Sequence, residues 1–398
     1  MPDPHRSAIE ALENPIGTQP LSKLVHAGDK VAILVGDRIT DRVVGARDGL
    51  GHTVLNYLNE CGVPDSDVTL VYACGMHPHG NADEKIGPEL MRRIRYMKHQ
   101  ASDERALVFV GVTSRGTPVW VNRYVAEADV VLGIGEISPV MFGGFCGGGK
   151  IILPGVSGRD TIEHNHRYIM APFISVGLVD GNFIREDMEE AAELGGLTFK
   201  LDMLVNGEEK IVRFYGGDFR QEWRAALPLA REIWMSKVPR ADIHVFSPGD
   251  TRESFLGSSL YLTLDAAALA MKEDGIGIAL ISGVDGWAPE EAIKGDAVHD
   301  PESLRLSTEQ LAVRLVRKEG NLRSISQAYS NKRVLETRRI LLVSPVVSDE
   351  EARGLGFAGA VRTFEEALGR ALAERGRSAT VTVNLPRGIR WRQMIWRD

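Results

Sequence analysis

The feature that most constrains this chain is a series of short apolar runs separated by helix-length amphipathic stretches. Lys30-Val31-Ala32-Ile33-Leu34-Val35 follows Gly28-Asp29 and stops at Gly36-Asp37. Val68-Thr69-Leu70-Val71-Tyr72-Ala73 stops at Gly75-Met76-His77, and Asp129-Val130-Val131-Leu132-Gly133-Ile134 follows the run Ala106-Leu107-Val108-Phe109-Val110. Brief apolar runs of this kind fit strands buried on both faces, as in a parallel sheet. Between them, residues 43–61 place Leu50, Val54, Leu55 and Leu58 at helical spacing, with Gly62 and Pro64 as stop signals. Residues 82–97 read as a second helix. Thr117-Pro118 reads as the N-cap and first residue of a third, running to about Ala128. The alternation predicts an α/β fold with a largely parallel sheet.

The pattern resumes after residue 238 with Ile243-His244-Val245-Phe246, a helix over 260–272, strands at 277–282 and 339–343, a helix over 363–375 and a strand over 379–383. Helix-like residues 221–234 can connect the two halves. A chain of 398 residues accommodates two domains. The expectation is therefore two α/β domains with mostly parallel sheets, residues 1–238 and 239–384, and an active-site cleft between them.

Composition excludes several classes. The net charge is −7, and no basic stripe interleaved with aromatics marks a nucleic-acid surface. No apolar run is long enough to span a membrane. Residues 1–20 are polar, unlike a secretory signal, and the three scattered cysteines fit a reducing compartment, so a cytoplasmic location is expected.

Ligands of open α/β sheets bind beyond the carboxyl ends of the strands. Asp37 follows the first strand and His77 the second, in the order of a base and its orienting carboxylate. By position alone, Asp37 can equally cap a helix and His77 satisfy a loop. Gly143-Gly144-Phe145-Cys146-Gly147-Gly148-Gly149-Lys150 nearly matches a phosphate-binding loop, but Ile151 stands where Ser or Thr must hold magnesium. Lys150 also precedes what reads as strand and turn rather than a helix. Gly147, Gly148 and Gly149 permit close approach of a flat ligand, and Lys150 between Gly149 and Ile151 is a candidate for covalent chemistry. His164-Asn165-His166 offers imidazole ligands, with no Cys pair or acidic cluster nearby to complete a metal site. Two surface histidines are the plainer reading of that triplet.

Together these segments resemble the nickel-dependent lactate racemase family. The resemblance runs through Gly111-Val112-Thr113-Ser114-Arg115-Gly116-Thr117-Pro118, Ala126-Glu127-Ala128-Asp129, Gly133-Ile134-Gly135, Phe142 to Lys150, and Leu153-Pro154-Gly155 to Asn165-His166. Asp37 and Gly75-Met76-His77 take the places of the family's aspartate and histidine. It is closest over residues 1–235. The resemblance implies a nickel-pincer nucleotide, a pyridinium bis-thiocarboxylate mononucleotide joined covalently to Lys150, with nickel bound by His166. It also implies cofactor-synthesising enzymes as loading partners, His77 as the base, and racemisation or epimerisation of a 2-hydroxy acid by hydride transfer. Residues 385–398 are expected to pack back on the first domain. Two family positions differ. A second histidine, ten residues before the lysine, is Val140 here, and an arginine three residues after Asp37 is Thr40, which is counted with Asp37 among the cofactor-binding positions. In the second half, the carboxylate-gripping positions align with Ser259 and Leu262. These departures point away from lactate toward a longer polyhydroxy acid, with Arg38, Arg42 and Arg252 as substitute cations. Another redox step on the same cofactor, or a silent cofactor-binding protein, are the alternatives.

Overall fold

The computed structural model describes all residues except 1–2, 38, 40–43, 45–48, 172–173, 250–253, 261–262, 291–299, 385–393 and 397–398. Thr40, Arg38, Arg42, Arg252 and Leu262 therefore lie outside the described residues. Contacts divide the chain into two units. The first holds Met1–Ser138, Phe145–Asn165 and Val179–Ala230; the second holds Pro139–Gly144, His166–Leu178 and Arg231–Asp398.

The first unit is built on a six-stranded sheet. Its strands, with a separate hairpin, are β1 (Val31–Gly36), β2 (Val68–Ala73), β3 (Arg95–Lys98), β4 (Leu107–Val112), β5 (Pro118–Asn122), β6 (Val130–Glu136), β7 (Leu197–Val205) and β8 (Ile211–Gly217). The sheet order is β8–β7–β6–β1–β2–β3, parallel except for β8. The first five residues of β1 are buried, which accounts for the unbroken apolar run. The chain adds β2 and β3 on one side of β1, then returns to place β6 on the other. The boundary between β1 and β6 is thus a topological switch point, where α/β sheets bind ligands beyond their carboxyl ends.

Several local expectations change. Residues 107–112 and 118–122 form an antiparallel hairpin outside the main sheet. Pro118-Val119-Trp120-Val121 is thus strand rather than helix, its β-branched and aromatic residues outweighing the Thr-Pro helix-start signal. The following helix is only Arg123–Ala126, capped by Asn122. The helix expected over 82–97 divides at Gly87, whose φ is +77°, into Ala82–Ile86 and Pro88–Arg93, and residues 95–98 become edge strand β3. Gly148–Ile151 is a 3-10 turn rather than the start of a strand.

The second unit carries a five-stranded parallel sheet: β9 (Ala241–Phe246), β10 (Met271–Leu280), β11 (Arg339–Val343), β12 (Gly359–Val361) and β13 (Val381–Asn384), in the order β12–β11–β10–β9–β13. Ile243, Val245, Ile276, Ile278 and Leu341 pack on one face with Ala367 and Ala371. Phe246, Ala279, Ile340 and Leu342 pack on the other with Leu260, Leu264 and Leu335. Both faces are covered, as the apolar runs require. Met394–Trp396 pairs in parallel with Met235–Lys237, and the rest of the tail is outside the described residues. No helix among the described residues is long and apolar enough to cross a membrane.

Two buried histidines predict an acid sensitivity. His99 is 1% exposed, its Nε2 donating to the Ser157 carbonyl at 2.9 Å and its Nδ1 facing the Asn122 amide at 3.3 Å. Burial pushes the imidazoles of His99 and His244 down to about 4. The unfolded chain, titrating near 6.5, binds those protons first, so stability is full above that value and falls as pH drops from 6.5 toward 4. Urea midpoints at pH 7 and 5 should report a loss of roughly 2 kcal/mol per histidine, and His99→Gln should lessen it. A midpoint unchanged between the two pH values would contradict this.

Candidate active site

Gly36 of β1 and Ala73 of β2 are register partners, so the residues after them emerge side by side. His77 Nδ1 donates to Asp37 Oδ2. A carboxylate only accepts, so the Nδ1 proton is held there and Nε2 is the basic nitrogen. Both side chains are about a quarter exposed, at 27% and 23%. Lys85 Nζ pins the Asp37 turn by donating to the carbonyls of Asp37 at 2.8 Å and Ile39 at 3.4 Å. On the β2 side, Gly75 adopts φ +56° and donates to the Gly155 carbonyl at 2.9 Å; a Cβ there would lie 3.0 Å from the Pro154 carbonyl oxygen. The His77 loop is thereby tied to the segment just after Lys150.

The glycine-rich segment is held by buried polar side chains. Arg185, from helix Phe183–Leu194, donates to the carbonyls of Phe145 and, at 3.1 Å, Gly147. Trp223, from helix Gln221–Trp234, donates to the Cys146 carbonyl at 2.7 Å, and the Arg185 guanidinium lies 4.0 Å over its ring. Asp202 of β7 accepts the Gly148 N–H at 2.7 Å. The glycines answer to this packing. A Cβ on Gly147 (φ +87°) would sit 2.6 Å from Asp202 Oδ2, on Gly148 2.9 Å from the Phe219 carbonyl oxygen, and on Gly149 2.9 Å from Ala192 Cβ. Gly147 lines the cavity described next, whereas Gly148 and Gly149 are not among its lining residues.

Asp37, His77 and Lys150 line one cavity of about 50 Å³, together with Cys74, Cys146, Glu136 and Lys200. Lys150 Nζ makes no hydrogen bond or ion pair with any of the described residues, so this amine is uncommitted at the cavity wall. Lys200 and Asp202 form an ion pair with no exposed side-chain surface. Beside them lies fully buried Glu222, whose carboxyl is pushed well above the carboxylate range by burial first and by the Asp202 charge second. Sequence reasoning passed over this buried group. The signal was present as two charges at alternate positions, Lys200 and Asp202, on a largely apolar strand, opposite Gly133 and Gly135.

His166 ends helix Arg159–His166 and groups with the second unit. It is 6% exposed, which sets aside the surface reading, and its ring lies 4.5 Å from that of Phe142. His164 is the surface member of the triplet, with Nδ1 3.3 Å from the Asp160 carbonyl oxygen one turn back. His79 Nε2 lies 3.0 Å from the His99 carbonyl oxygen. Val140 is 2% exposed, and Ser259 is fully buried. Among the described residues, no three His, Cys, Asp or Glu side chains converge to hold a metal ion by themselves.

Residues 1–175 match the model of the lactate racemase N-terminal domain. The chain is 26% identical over 396 residues to the lactate racemase of Lactiplantibacillus plantarum, covering 96% of this chain and 88% of that protein. It is 28% identical over 288 residues to the lactate racemase of Thermoanaerobacterium thermosaccharolyticum, covering 70% and 66%. The fold is that of the lactate racemase apoprotein from the latter organism, with a TM-score of 0.81 at 22% identity over 99% of this chain and 93% of that one. A Thermotoga maritima protein of known structure is similar at a TM-score of 0.64 and 17% identity, with 98% of each chain covered. The family match thus covers the N-terminal domain, and the similarity to the Lactiplantibacillus plantarum lactate racemase continues through the second sheet.

Proposed function

We propose that this protein is a racemase or epimerase of a 2-hydroxy acid that works with a nickel-pincer nucleotide attached at Lys150. The observation that carries the reading is the placement of an Asp37-oriented His77 and an uncommitted Lys150 on one cavity wall at the switch point of the sheet. A covalent attachment needs an amine with no prior partner, and Lys150 supplies one in a backbone segment fixed by Arg185, Trp223 and Asp202. Nickel favours imidazole nitrogen, and His166 is the residue that would ligate it. Since the described residues offer no protein cluster for a metal, its other ligands would come with the nucleotide. When bound, that group supplies a reversible hydride acceptor.

The rest of the chemistry belongs to this chain. His77 Nε2 takes the hydroxyl proton as the α-carbon gives up its hydrogen with the bonding pair, leaving a planar 2-oxo acid. Asp37 keeps Nδ1 protonated and stabilises the imidazolium that forms. Return of the hydride to the other face, with the proton restored to oxygen, inverts the centre. Loading of the cofactor falls to separate biosynthetic enzymes.

Val140 bears on the substrate. It is buried and cannot titrate, so the second orientation of the hydroxyl lacks a histidine at that position. His79 and His164 are each turned to a backbone carbonyl. A hydroxyl of a longer substrate can relay that proton, which favours a sugar acid over lactate. The same residue favours, as a second reading, a one-way redox step on the same cofactor. Chiral chromatography of enantiopure lactate, glycerate and aldonic acids after incubation with nickel-loaded protein separates them. The expected result is inversion or epimerisation, faster on the longer acids. Efficient lactate racemisation would remove the sugar-acid preference, and 2-oxo acid formed without inversion, up to one equivalent per loaded cofactor, would favour the second reading.

A further inference from the structure

The cations that the sequence offers for the substrate carboxylate, Arg38, Arg42 and Arg252, lie outside the described residues, whereas the cavity itself is lined by a described cation not yet given a task. Lys200 lines the same wall as His77, with its side chain fully buried. A buried ammonium has three donors to satisfy. Among the described residues Lys200 Nζ makes one hydrogen bond, to Asp202 Oδ1. The other oxygen of Asp202 is taken by the Gly148 N–H. Glu222 adds no second countercharge, because burial holds its carboxyl toward the neutral form.

The neighbouring strand is shaped around this lysine. Gly133 and Gly135 of β6 are the register partners of Lys200 and Asp202. A Cβ on Gly133 would lie 2.8 Å from Lys200 Cδ, and one on Gly135 would lie 2.7 Å from Lys200 Nζ and 2.6 Å from Asp202 Oδ1. The two glycines therefore leave the space on β6 that the side chain of Lys200, a lining residue of the cavity, occupies. As a structural device this arrangement is costly. A buried ion pair is commonly no more stabilising than apolar residues of the same volume, and the neighbours Phe199, Leu201 and Met203 on β7 are apolar.

We propose that Lys200 is the carboxylate-binding residue of the cavity, its remaining N–H donors gripping the acid group of the substrate while His77 serves the hydroxyl. The proposal rests on the 2-hydroxy acid reading and adds a residue to it. The two functional groups of such an acid sit on adjacent carbons, so His77 and Lys200, lining one cavity, can serve the two groups of one molecule. Glu136, a carboxylate on the same wall, has a partner of its own.

The test is equilibrium binding of glycolate, an achiral 2-hydroxy acid that racemisation cannot alter, beside its neutral counterpart glycolamide and inorganic phosphate. Calorimetry is run on the cofactor-loaded wild type and on Lys200→Met. The double variant Lys200→Met/Asp202→Asn, which keeps the buried site neutral, replaces the single variant if that one does not fold. Loss of a charge-assisted hydrogen bond should weaken glycolate binding about tenfold or more, with glycolamide affinity unchanged. Equal glycolate affinity in wild type and variant would overturn the role of Lys200 while leaving the hydroxy-acid reading intact. Phosphate binding that depends on Lys200 without any for glycolate would assign the lysine to a phosphate instead and also overturn it. A wild type that binds neither glycolate nor glycolamide would remove the hydroxy-acid reading itself.

Discussion

His77→Ala should reduce turnover in both stereochemical directions by a factor of about 10²–10⁴, the usual contribution of a positioned general acid–base group. The size follows from the geometry. His77 is oriented by Asp37 on a turn that Lys85 pins, and its loop is tied through Gly75 to the segment after Lys150. The His79 ring nitrogen is already turned to the His99 carbonyl, so it is not placed to substitute. Asp37→Asn should fall between wild type and His77→Ala, because it leaves the imidazole in place while removing the charge that stabilises its protonated form. Rates measured separately from each enantiomer, with circular dichroism to confirm folding, check both variants. Near-normal rates in both directions for His77→Ala would show that another group is the base.

Lys150→Ala should lose the covalent cofactor completely, and turnover with it. The intact mass of wild-type protein co-expressed with the cofactor-making enzymes should exceed the sequence mass by one nucleotide adduct, and peptide mapping should place it on Lys150. Lys150→Ala should show the sequence mass alone. His166→Ala should keep the adduct and lose most of the nickel, read by elemental analysis. Lys150 points into a cavity and carries no structural hydrogen bond. Its replacement should therefore leave the melting temperature nearly unchanged, which separates a chemical role from a structural one. An adduct mapped to another lysine would displace this assignment.

The sheet cores could be read from the sequence because burial on both faces writes unbroken apolar runs, as in β1, β2 and β6. The pairing of Asp37 with His77 was readable for a related reason: residues that follow adjacent parallel strands emerge side by side, and these two stand at the ends of β1 and β2. Local signals failed where tertiary contacts outweighed them. Thr117-Pro118 carries a helix-start signature, yet Val119 and Val121 are completely buried on a hairpin strand. The run from Ala82 is helical in composition until Gly87-Pro88 divides it. The glycines at 147–149 also answer to packing, since a Cβ on them would meet Asp202, Phe219 and Ala192. Those partners lie 43 or more residues away in sequence, beyond the reach of any local pattern. Lys200 was overlooked because a charge inside an apolar strand has no meaning until its register against Gly133 and Gly135 is known.

The central claim is that inversion proceeds by hydride removal and return, with His77 handling only the hydroxyl proton. Isotope tracing tests it most directly. An enantiopure 2-hydroxy acid carrying deuterium at the α-carbon is converted by the loaded enzyme in ordinary water, and the opposite stereoisomer is examined by mass spectrometry. Hydride transfer predicts that the inverted product keeps its deuterium, because the hydrogen leaves and returns without meeting solvent. Loss of deuterium to water in step with inversion would mean that a base removes the α-proton directly, and it would contradict the roles assigned here to Lys150 and His77.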